Sequence, residues 1–149
     1  MHDKKQSLFD SIGGLDTLHR VHKIFYDKIY AHKWLKQFFD GFDQQIIENK
    51  QSSFMAEKMG GPRYLGKAIK QVHENMYITQ ELFTVRHDLL KESLQEVGVK
   101  PAYIKRWLRI DSAFMKSICK DSIESFYGEY HFPYKRRIII PNPEKKSLT

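Results

Sequence analysis

From Leu15 to Phe126 apolar side chains return at steps of three and four, and glycine or proline marks most places where that rhythm breaks. The period puts apolar groups on one face of an α-helix, and no comparable stretch alternates as a half-buried strand would. Ser7 and Asp10 suit the cap of a short first helix stopped by Gly13-Gly14, after which Leu18, Val21, Phe25 and Ile29 define a longer amphipathic one. Trp34, Leu35, Phe38 and Phe39 predict an apolar turn closed by Asp40-Gly41. Asp43 then caps a helix whose face runs Ile46, Ile47, Phe54, Met55 and Met59 until Gly60-Gly61-Pro62. Residues 63–77 lack a clean period and predict a loop with a helical turn around residues 68–72. Thr79 opens and Gly98 ends the next helix, which carries Phe83, Leu89, Leu90, Leu94 and Val97. Pro101 starts the last, whose buried side includes Ile104, Trp107, Phe114, Ile118 and Phe126, with Gly128 as its stop. The fold class is all-α, with one domain over residues 1–128. Residues 129–149 form a non-helical arm, because His131-Phe132-Pro133 and Pro141-Asn142-Pro143 exclude regular helix.

A chain of 149 residues buries a sufficient core without staples, and the lone Cys119 rules out an intrachain disulfide. The longest aliphatic run is the triplet Ile138-Ile139-Ile140, far below the roughly 20 residues of a membrane-spanning helix, and Met1-His2-Asp3-Lys4-Lys5 has no hydrophobic signal core. These features predict an intracellular, soluble protein, in the cytoplasm or on the matrix side of a mitochondrial assembly. Net charge is +7, and residues 128–149 hold Lys135, Arg136, Arg137, Lys145 and Lys146 against Glu129 and Glu144. No phosphate-cradling loop, nucleophile motif or metal cluster of believable spacing is present, which argues against enzymatic chemistry of the bare chain. His19 and His22 lie three apart without a third ligand nearby in sequence, as surface histidines do.

Several local motifs, in order, resemble the first group of the truncated (two-on-two) globins: Ser7-Leu8-Phe9-Asp10-Ser11-Ile12-Gly13-Gly14, Phe25-Tyr26, Phe38-Phe39, Phe54-Met55 before Gly60-Gly61-Pro62, and Lys70-Gln71-Val72-His73 leading to Ile78-Thr79. The resemblance implies a two-on-two helical sandwich and a haem pocket. Tyr26 and Gln51 stand where the family hydrogen-bonds dioxygen on ferrous haem, Phe39 lies against the porphyrin, and Ile47 and Phe54 line the same space. Nitric oxide dioxygenation would be the family-like reaction.

One departure bears on mechanism. The family's iron-ligating histidine precedes a phenylalanine, and here the segment reads Ile78-Thr79-Gln80-Glu81-Leu82-Phe83. Leucine cannot ligate iron, and His87 lies about 500° further around the helix. No metal site is therefore assigned; Lys50, His73 and Met76 are the remaining axial candidates. The leading reading from sequence is a haem-free accessory subunit of a larger assembly, without cofactor. It docks on other protein subunits through Phe132, Tyr134, Lys135, Arg136, Arg137, Ile138, Ile139 and Ile140, since truncated globins need little after their last helix. The alternative is a haem b protein with non-standard ligation that binds dioxygen or nitric oxide at Tyr26 and Gln51. A third reading is RNA or ribosome binding, with Phe132 and Tyr134 stacking bases and Arg136 neutralising phosphate.

Overall fold

In the computed structural model, residues 6–68, 72–129 and 138–144 are described. Helix α1 (Leu8–Ile12) is capped by Ser7, whose hydroxyl accepts from the Asp10 amide at 3.1 Å. The chain reverses at Gly13, where φ is +102° and an added Cβ would meet Thr17 Oγ1 at 2.7 Å, so glycine is required there. Helix α2 (Gly14–Ala31) buries Leu18, Val21, His22, Phe25, Tyr26 and Ile29 along one stripe. A 3-10 helix (Leu35–Phe39) follows, and then α3 (Gln44–Lys58), capped by Asp43. The close of α3 touches α1: the Phe9 amide donates to the Met59 carbonyl at 3.0 Å, and a Cβ at Gly61 would meet the Phe9 ring at 2.7 Å. Helix α4 (Gln80–Val97) starts at its Thr79 cap and ends at Gly98, and α5 (Pro101–Ala113) takes proline in its first turn. The core lies where α2 packs against α3 and α4, with α5 alongside α4. Among the described residues, no helix is long and apolar enough to cross a membrane.

Two expectations need correction. The last helix is not continuous: α5 stops at Ala113, α6 spans Met115–Ile118 and α7 spans Ile123–Glu129. The cause is local. Cys119 turns extended, the Lys120 amide donates to the Ile78 carbonyl at 2.8 Å, and the Ser122 hydroxyl accepts from the Ser125 amide to start the next helix. In α3, Ile46 is 53% exposed, and Glu48 and Ser52 take buried places that the apolar period assigned elsewhere. The expected turn around residues 68–72 lies partly outside the described residues.

The arm is also partly visible. Ile138 forms a parallel bridge with Met76: its amide donates to the Asn75 carbonyl at 2.7 Å, and the Tyr77 amide donates to its carbonyl at 2.8 Å. The buried Trp34 indole donates to the Ile140 carbonyl at 2.8 Å, and the Asn142 amide donates to Glu81 at 2.9 Å. Ile138 and Ile140 pack against the domain's own core. The sequence assigned the isoleucine triplet to a partner's surface; this strap sets Ile138 and Ile140 against the domain itself, which takes part of their apolar surface from water. Phe132, Tyr134, Lys135, Arg136 and Arg137 lie outside the described residues.

Candidate functional site

Tyr26 lies at the centre of the site. The α2 stripe carries it inward to 4% exposure, and its ring meets Phe39 edge to face, with centroids 5.9 Å apart. Burial raises the phenol above its ordinary range, against an opposing pull from the positive Arg86, so the O–H stays protonated and able to donate. Gln51 and Ile47 stand half-buried on α3, and Ile47 packs against the same core. Tyr26 and Gln51, both described, do not hydrogen-bond each other. Phe54 is buried but not brought to Tyr26: it packs on Tyr64 at 5.3 Å and Phe114 at 5.1 Å, outside the contiguous core.

Leu82 sits in the first turn of α4, its amide donating to the Thr79 hydroxyl at 3.1 Å, and is 3% exposed within the core that holds Tyr26. Of the three axial candidates, Lys50 is exposed. His73 is half-buried, and its carbonyl accepts from Lys120 Nζ at 2.9 Å. The Met76 side chain packs against the core.

Sequence reasoning missed the polar groups behind this site. His22, taken for a surface residue, is fully buried: its Nδ1 lies 2.7 Å from Ser52 Oγ, and its Nε2 has no partner among the described residues. Burial, reinforced by the nearby positive charges of Arg86 and His19, pushes its pKa down to about 3, so the ring is neutral. The signal was present, since His22 falls one turn from both Leu18 and Tyr26 on the apolar stripe. The second missed group is Arg86, one turn beyond Leu82. Its guanidinium lies over Phe25 at 5.3 Å and Phe83 at 5.6 Å and pairs with both oxygens of buried Asp111 at 2.8 and 2.9 Å. Burial works against both charges. Asp111 nevertheless holds Arg86 above its ordinary range, and Arg86 and His87 hold Asp111 below its own. His87 is thereby committed, with Nδ1 2.7 Å from Asp111. Cys119 is half-buried, and burial raises its thiol, which suits packing over reactivity. Among the described residues no cluster of metal ligands occurs.

A stack of helices built on α2 gathers a buried tyrosine donor, Phe39 beside it and the apolar Leu82 into one core of globin type. The chain belongs to the bacterial-like globin family, whose profile matches residues 7–119. It is 36% identical over 94 residues to the group 1 truncated hemoglobin of Mycolicibacterium paratuberculosis, covering 62% of this chain and 69% of that protein. It is 28% identical over 109 residues to the group 1 truncated hemoglobin of Tetrahymena pyriformis, covering 72% of this chain and 90% of that one. The crystal structure of the Tetrahymena pyriformis protein in its Fe(III) form superposes with a TM-score of 0.72 at 26% identity, over 78% of this chain and all of that one. The truncated-globin resemblance and the all-α globin fold therefore hold.

These relatives overturn two expectations, the haem-free accessory subunit and the absence of a cofactor. The missing cofactor rested on Leu82, and the accessory subunit on Leu82 together with the added arm. Losing one axial side chain removes a single bond, while the apolar burial that holds a porphyrin belongs to the whole pocket. The residues present fit haem on the Tyr26 side, where a protonated buried donor and Phe39 converge. At position 82 the donor set is incomplete.

Proposed function

We propose that this chain is a haem protein that binds a diatomic ligand of the dioxygen or nitric oxide class, with its iron held by a group other than a histidine at position 82. Ferrous haem supplies the position at which such a gas binds. The observation that carries the reading is Tyr26, a buried phenol kept protonated beside Phe39. Its O–H donates to a ligand that acquires negative charge, and a donor in a dry pocket acts strongly on such charge. Gln51 offers a second donor from α3, and Phe39 and Ile47 keep water away. Arg86 sets a fixed positive charge behind Tyr26 and Phe25. Leu82 would contribute apolar contact alone. Met76 is the residue we favour to hold the iron if haem were bound, because its side chain packs against the core that includes Leu82, whereas Lys50 is exposed. A thioether is a weaker ligand than imidazole, so haem affinity rests mainly on apolar burial.

A haemin titration followed by the Soret band tests this. We expect one haem per chain, a ligation spectrum distinct from that of Leu82→His, and at least about a tenfold weaker affinity in Met76→Leu. No uptake by the unmodified chain, with stoichiometric uptake by Leu82→His, refutes the haem reading. Uptake indifferent to Met76→Leu refutes only the axial assignment.

A further inference from the structure

Helix α5 turns Ile104, Trp107 and Asp111 inward, and its solvent face presents Lys105, Arg106 and Arg109, continued past the turn at Phe114 by Lys116. Its one acid, Asp111, is buried and already paired with Arg86 and His87. Among the described residues no carboxylate pairs with any of these four cations, whereas Lys28 on α2 pairs with Glu92 and Glu96. Arg106 and Arg109 also rim a cleft of about 180 Å³ with Lys58, floored by Leu8, Met59 and Ile110. Lys58 is partly engaged, 3.6 Å from Glu57 and over the Phe54 ring, so the two arginines are the cations left to reach outward.

We infer that the solvent face of α5 is a docking surface for an acidic protein partner, with the cleft between α1 and α5 receiving a carboxylate side chain. Arginine forks match planar carboxylates two bonds at a time, and a cluster of cations on one face steers an acidic surface into register. Other anionic partners fit less well. The exposed positions between and flanking these cations are Pro101, Ala102, Ser112, Ala113 and Ser117, and none carries an aromatic ring to stack a nucleic acid base. The same positions offer no large apolar side chain to enter a lipid layer. The inference is independent of haem, since none of these side chains belongs to the Tyr26 site.

The test uses the full chain and a fluorescein-labelled peptide of alternating glutamate and leucine as probe. Binding is read by anisotropy at low and moderate salt, beside a DNA duplex of equal charge and vesicles containing phosphatidylglycerol. Arg106→Glu with Arg109→Glu is compared with Lys36→Glu and Lys91→Glu, which change net charge equally at exposed sites elsewhere. The expected result is peptide binding that weakens with salt, falls at least about tenfold in the arginine pair and changes less than about twofold in the lysine pair. Circular dichroism should be the same for all three proteins. Equal losses in the two pairs, no peptide binding, or tighter binding of the duplex or vesicles overturns the inference.

Discussion

Acidification should destabilise this domain through His22 before the carboxylates titrate. The folded imidazole has its pKa lowered to about 3 from 6.5, so between those values the unfolded chain binds more protons than the folded one. Stability is complete above 6.5 and declines as the pH falls, by about 1.4 kcal/mol per unit once the unfolded histidine is largely protonated. Near pH 4.5 the loss is about 2 to 3 kcal/mol, a substantial part of the 5 to 15 kcal/mol typical of a domain. Asp111 acts with the same sign but at lower pH: its folded pKa is depressed, so its contribution is lost only below the ordinary carboxyl range. Urea unfolding followed by far-ultraviolet circular dichroism, from about pH 7.5 to about pH 4.5, measures the slope. In His22→Leu with Ser52→Ala, which removes the imidazole and its hydroxyl partner together, the slope in that window should largely vanish. A wild-type loss below about 1 kcal/mol, or an unchanged slope in the double variant, refutes the reasoning.

Arg86→Met leaves Asp111 buried without its guanidinium and should cost about 3 to 5 kcal/mol in the same urea assay, while adding Asp111→Leu should recover most of it; equal losses in both would show that the pair is not the cause. Trp34→Phe removes the indole donor to Ile140 and should cost about 1 kcal/mol. Hydrogen exchange at the Tyr77 and Ile138 amides should accelerate in that variant while α2 amides stay protected, and unchanged exchange would show that Trp34 does not hold the strap.

The amino-acid sequence alone determined the helical class, the caps at Ser7, Asp43 and Thr79, and the stops at Gly13 and Gly98. Each depends on side chains within a few residues of one another. It also placed Tyr26 on a buried face and exposed the missing histidine at Leu82, because a stripe and a motif are linear patterns. Where Phe54 points, where the last helix breaks and where Ile138 and Ile140 lie were decided by partners far along the chain: Phe114, Ile78, Met76 and Trp34. The same holds for His22 and Arg86. Polar residues on an apolar stripe are tolerated only if the fold supplies Ser52 or Asp111 opposite them, and those partners come from other helices. A sequence shows which side chains must turn inward. What they meet there is fixed by how the helices cross, because a buried polar group is stable only beside the atom that replaces its water.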